Sequence, residues 1–147
     1  VGVPSAVKIK KDRVEYTSQV DRAKYLLVEL QRAALRDVGK FVRRRMLDEV
    51  RRRPGLKRGK RPPNAFQYWV RKRETDLQVG IRHNTWYGVH QELGTANQPK
   101  HAVLRNTVFN NIDEIRRIEG VYLSAIEDEN RALGLVKEEV EFEDEPL

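Results

Sequence analysis

One stretch limits the fold more than any other: SQVDRAKYLLVELQRAALRDVGKFVRRRMLDEVRRRPG, Ser18 to Gly55. Val20, Ala23, Leu27, Leu30, Ala34, Val38 and Phe41 recur every three or four residues, which on a helix makes one buried stripe. Ser18 is the expected N-cap, and Asp21 sits in the first turn, where an acid is favoured. Arginines crowd the last turns, where cations suit the helix dipole, and Pro54-Gly55 supplies the stop.

The rest of the chain is read around this helix. In AFQYWVRKRETDLQVGIRH, Phe66, Tyr68 and Val70 alternate, as do Leu77, Val79 and Ile81, with a polar break near Arg73 to Thr75. That is a β-hairpin with one apolar face, and the face must pack on a helix. Residues 1–17 alternate at Val7, Ile9, Val14 and Tyr16 and read as a short strand or an extended arm. WYGVHQELGT reads as a short helix or turn closed by Gly94. A second long helix is expected from about Leu104 to Leu133, with Leu104, Val108, Ile112, Ile115, Tyr122 and Ile126 as its stripe. The expected class is α+β: a small antiparallel sheet, a hairpin plus short strands, flanked by two long helices. The domain would span 18–135, between the 1–17 arm and an acidic, mobile tail at 136–147.

Composition narrows the function. Charged residues are 35% of the chain and apolar ones 39%, which points to a modest core with long polar helices rather than a compact enzyme. No apolar run has transmembrane length and no leading stretch has the order of a signal peptide, so the cytosol is the default expectation. Having no cysteine excludes disulfides, thiol nucleophiles and thiolate metal sites.

The net charge of +7 is uneven. Between Lys40 and Arg61 stand eleven bases (Lys40, Arg43, Arg44, Arg45, Arg51, Arg52, Arg53, Lys57, Arg58, Lys60 and Arg61) against Asp48 and Glu49. The far end holds six acids, Glu138, Glu139, Glu141, Glu143, Asp144 and Glu145, against Lys137. Such polarity favours head-to-tail contact between copies, or a basic face meeting an acidic partner.

Catalytic chemistry finds little footing. His83, His90 and His101 lack metal-ligand spacing, and His90 and Glu92 would diverge on a helix. No serine stands in a glycine elbow. Glu74 and Asp76 beside a strand raise the thought of a nuclease, but they fit the polar turn of the hairpin better. No catalytic residue, metal or cofactor is expected. The basic run can contact phosphates in a salt-sensitive way, with Tyr68 and Trp69 available for stacking. The plainer reading, which we favour, is a solvated helix end that meets another copy's acidic tail.

The order of elements then meets a motif. A long helix, a basic loop and a hairpin lead into LQVGIRHNTWYGVHQELGT, followed by ANQPKHAVL and a helix. Tyr87, Glu92, Gly94 and Thr95, with Pro99 and Leu104 downstream, resemble the gp-ten-like tail-component family of long-tailed bacteriophages, the head–tail joining or tail-completion proteins. The resemblance covers roughly residues 20 to 130. It implies a binding part of a virion neck or tail end, assembled in the host cytoplasm. Its expected partners are other copies in a six-fold ring, neck and tail-tube proteins, and DNA passing through the lumen, with no membrane involved. The basic 40–61 segment and the acidic tail become candidate ring contacts. The rival expectation is a nucleic-acid-binding protein without sequence preference. On either reading Gly94 supplies a backbone shape that side chains resist, and Thr95 can cap the turn. Glu92 is expected to bind backbone amides or an arginine, while Trp86, Tyr87 and Leu93 pin the turn to the sheet.

Overall fold

The computed structural model describes residues 2–52, 66–81, 92–96, 100 and 102–143. It is an α+β protein: two two-stranded antiparallel sheets and four helices among the described residues. Helix α1 runs Val20–Arg52, 33 residues, and every other packed element lies against it. It starts one residue later than Ser18 would set it. Ser18 ends a strand, and the carbonyl of Gln19 accepts the first helical bond, from Ala23 N–H at 2.9 Å.

The 1–17 arm is a hairpin. Strands β1 (Val7–Lys11) and β2 (Val14–Ser18) pair in register, Ile9 opposite Tyr16, across the two-residue turn Asp12-Arg13. Both turn residues have positive φ, 49° and 68°, as a type I′ turn requires. Strands β3 (Phe66–Arg71) and β4 (Asp76–Ile81) form the second hairpin, with Tyr68 opposite Val79, as the alternation predicts.

Two clusters form the core, both strung on α1. In one, Val38, Val42, Met46 and Val50 of α1 meet Phe66 of β3 and Val103 at the start of the next helix, with Leu77, Val79 and Ile81 around them. Gly39 makes this approach possible. A Cβ there would lie 2.4 Å from Tyr68 Cδ2 and 3.0 Å from Leu77 Cδ1, so only a bare backbone admits the hairpin. The second cluster joins Leu30 and Ala33 of α1 to Tyr122, Ala125 and Ala132.

The expected single C-terminal helix is three: α2 (Val103–Asn110), α3 (Ile112–Ser124) and α4 (Glu129–Glu143). Asn111 breaks the first pair. Its Nδ2 donates to the Thr107 carbonyl at 2.8 Å and its N–H turns to Val108 O at 3.3 Å, in place of the regular ladder. Asp128 then caps α4, its Oδ1 accepting from Asn130 N–H at 3.0 Å and Arg131 N–H at 3.3 Å. The turn lets α4 fold back on α1, where Arg22 Nε donates to Glu129 Oε1 at 2.6 Å. The boundary expected at 136 therefore falls inside α4, and Val136 packs on the second cluster.

The α1 stripe is also rotated from the expected one. Leu26, Leu30, Ala33, Val38, Val42, Met46 and Val50 are buried, whereas Val20 and Leu27 are exposed. A helix this long drifts relative to any fixed set of neighbours, so its buried line follows whichever element lies beside it at each turn. Among the described residues no helix is long and apolar enough to cross a membrane.

Candidate functional site

The Glu92–Thr95 turn is a structural corner. Glu92 Oε2 accepts from Leu104 N–H at 2.9 Å and Oε1 from Arg105 N–H at 3.1 Å. One carboxylate thus satisfies two of the N–H groups that the start of α2 leaves unpaired, and its charge opposes the positive helix end. It replaces a local cap, because Ala102 has no side-chain oxygen and sits in the left-handed region at φ 46°. Gly94 has φ 78°, and a Cβ on it would lie 3.0 Å from Lys100 N, so the position excludes side chains twice over. Leu93, expected to pin the turn, is 68% exposed instead. Glu92 already anchors the turn through backbone bonds, which frees its neighbour from packing. Tyr87 and Trp86 lie outside the described residues, as do His83, His90 and His101.

The basic segment divides. Arg43 is half-buried, and its Nε donates to the Phe66 carbonyl at 3.2 Å, tying α1 to β3. Arg45 is exposed and lies over the Phe41 ring at 5.3 Å. Arg51 stands 3.8 Å from Asp48, a loose pair, and Arg44 and Arg52 are exposed. Val42, Met46 and Val50 hold the buried side of these turns, so Arg44, Arg45, Arg51 and Arg52 occupy the solvent half of the helix end. Arg53, Lys57, Arg58, Lys60 and Arg61 lie outside the described residues. Of the two aromatic residues considered for stacking, Tyr68 faces α1 at Gly39, whereas Trp69 points to the opposite face of the sheet and is 41% exposed.

Glu138, Glu139, Glu141 and Glu143 lie on the backbone of α4, a helix where a mobile tail was expected. Their side chains, and Asp144 and Glu145 altogether, lie outside the described residues. Glu74 and Asp76 both face Arg71. Its Nε donates to Asp76 Oδ1 at 2.6 Å, and Glu74 stands at 3.6 Å. That bond holds the Asp76 carboxyl below its ordinary range and raises Arg71 above its own. Glu114 is lowered in the same way by Arg117. Both acids near the strand are therefore engaged in closing the hairpin. Among the described residues no three His, Cys, Asp or Glu side chains gather as metal ligands.

Two apolar surfaces stand exposed among the described residues, and their exposure was not legible in the sequence. One is the face of the β1–β2 hairpin. The other is a groove between the first half of α1 and the α3–α4 turn, with Leu27, Leu123 and Ile126 at its mouth. Leu27 and Ile126 carry the helical periodicity of core residues, and periodicity alone does not separate a buried stripe from an unfilled one. In comparisons with known proteins, no family model, no curated protein and no solved structure matches this chain. The resemblance to phage tail components therefore rests on its own residues.

Proposed function

We propose that the chain is a non-enzymatic structural protein of a phage neck or tail end, which joins head to tail or completes the tail within a ring through which DNA passes. The observation that carries this reading is the construction of the Glu92-x-Gly94-Thr95 turn. Its acid and glycine are spent on geometry, the carboxylate on two α2 amides and the glycine on a left-handed corner. A motif used in this way supports a part that binds. The exposed apolar hairpin and groove support the same reading, since a chain that works assembled keeps such faces for its neighbours.

Electron microscopy of lysates from the source phage with this gene deleted tests the proposal. Filled heads beside separate tails, or tails with abnormal ends, are expected. Normal joined virions would remove the assembly reading. The α4 helix also fixes where to truncate. Val136 belongs to the second cluster, so a cut meant to remove only the acids starts at Glu138, and it is expected to weaken assembly while the fold persists.

One observation favours a second reading, nucleic-acid binding without sequence preference: the four exposed arginines on the solvent half of the end of α1. A duplex binder would lose affinity steeply between low and physiological salt, and replacing Arg44, Arg45, Arg51 and Arg52 would flatten that slope. Retention of DNA unaffected by these changes would count against it.

A further inference from the structure

A two-stranded hairpin standing by itself is marginal in water, and among the described residues β1–β2 pairs with no third strand and buries none of its side chains. Every residue of both strands is exposed except Ser18, which is half-buried. The register puts Val7, Ile9, Val14 and Tyr16 on one face, with Ser18 at its base and Lys11 beside the turn, and Lys8, Lys10, Glu15 and Thr17 on the other. The hairpin therefore displays a largely apolar face, none of whose residues is buried among the described residues.

The groove is its counterpart. Leu30 and Tyr122 form its floor, Leu27, Leu123 and Ile126 stand exposed at its mouth, and its volume is about 400 Å³. It continues toward Leu26 and Ala132, where Arg22, Glu127 and Glu129 line it. The charges match. Among the lining residues Glu119, Glu127 and Glu129 outnumber Arg22, whereas the hairpin carries Lys11 on the docking face, Arg13 at its tip and Lys8 and Lys10 behind it, against Asp12 and Glu15.

From this pairing we infer that the apolar face of the β1–β2 hairpin docks in the α1–α3 groove of a second copy of this chain. A chain cannot readily fill its own groove. Only Gln19 separates the end of β2 from the start of α1, and one residue spans at most about 3.6 Å, too little to fold the hairpin back along the helix that it leads into. The two surfaces differ, so the contact is heterologous: each copy gives a hairpin to one neighbour and takes one from the other. Such contacts close into a ring or run on as a filament. One hairpin face is smaller than the roughly 800 Å² per partner of a stable complex, so a lone pair is weak and a closed set is strong. The inference names the contact that the assembly reading leaves open, and it depends on that reading only for its biological setting.

The absence of cysteine gives a clean test on the purified full chain. Ile9→Cys and Leu123→Cys are both changes at exposed positions, so the fold is expected to survive each. The two single variants are mixed and oxidised. The expected product is the mixed disulfide dimer, well above the yield from Ile9→Cys mixed with Glu74→Cys, an exposed site on the other hairpin. A chain carrying both changes is expected to give a ladder of dimers, trimers and larger species. Glu127→Lys, on the groove, is expected to lower the mixed yield by about tenfold, the effect of one reversed charge contact.

Four outcomes overturn the inference: a mixed yield no greater than the control, a dominant Ile9→Cys homodimer, a mixed yield unmoved by Glu127→Lys, or a doubly changed chain that closes only on itself. The readout needs no phage. A ladder with normal virions in the deletion lysate would sink the neck assignment alone, and defective virions without a ladder would sink the docking alone.

Discussion

Among the described residues are two hairpins of nearly equal strand length and similar apolar alternation, and of these β3–β4 alone is packed on α1. In β3–β4, Phe66 is 4% exposed, and the apolar side closes over α1 beside Met46. In β1–β2 the equivalent face carries Ile9 at 55% and Val14 at 68%. Strand pattern is therefore the same signal in both, and the difference lies on the receiving surface. The helix offers β3–β4 a glycine at its midpoint and an arginine, Arg43, that bonds the strand backbone. To β1–β2 it is joined by a single residue, Gln19, and none of that hairpin's residues is buried against it. Alternation fixes which side chains share a face, and the partner element decides whether that face is buried.

Substitutions can break or sharpen this contrast. The largest effect is expected from Phe66→Ala, which empties part of the first cluster and should cost about 3–5 kcal/mol in denaturant unfolding. A cost near zero would mean that β3–β4 is no better seated than β1–β2. Gly39→Ala comes next. The new methyl meets the Tyr68 ring, and overpacking of about 1–3 kcal/mol should outweigh the roughly 1 kcal/mol of helix propensity gained. If thermal melting shows a stabilised protein, the hairpin does not approach α1 as closely as described.

Glu92→Gln keeps the shape of the α2 cap and removes its charge. A loss of about 1 kcal/mol is expected, and it should shrink as salt rises. Asp76→Asn probes the clasp between β3 and β4. Because Arg71 lowers the folded-state pKa of Asp76, its contribution is present above the unfolded value of about 3.9 and disappears as pH falls through the folded one. Melting curves of variant and parent should therefore differ slightly at neutral pH and converge in acid. The smallest effect is expected from Tyr16→Ser in β2, within about 0.5 kcal/mol for the dilute chain, since that residue is 58% exposed. A large loss there would show that β1–β2 is packed after all.

Much of this arrangement is legible in the residues. The α1 span, the β3–β4 register and the positive φ of Gly94 follow from apolar spacing, a polar break and a glycine before a polar turn. Glu92 as a receiver of backbone amides was also readable, though not which amides, because Leu104 lies 12 residues on. Other features were hidden for physical reasons. Asp12-Arg13 lacks the glycine that marks a type I′ turn, so the first hairpin reads as an arm. Gly39 stands in a strong helical context, and only its neighbour Tyr68, far along the chain, gives it a purpose. The three-helix division had a signal that periodicity overrode: paired asparagines at 110 and 111, and Asp128 ahead of Glu129 as a cap. The exposed groove could not be read at all, since Leu27 and Ile126 fit a core stripe as well as the buried residues do.

The first hairpin has a further consequence, for solubility. Among the described residues both of its strands are sheet edges, with backbone groups on their outer sides able to take another strand, and its apolar face makes it a template for uncontrolled strand addition. Lys8, Lys10 and Lys11 sit along one of those edges, and like charges repel any copy that approaches in register. Lys11, which suits an acidic groove, therefore acts together with Lys8 and Lys10 as a gatekeeper against fibrous growth. A chain with them neutralised would exchange a selective contact for an indiscriminate one.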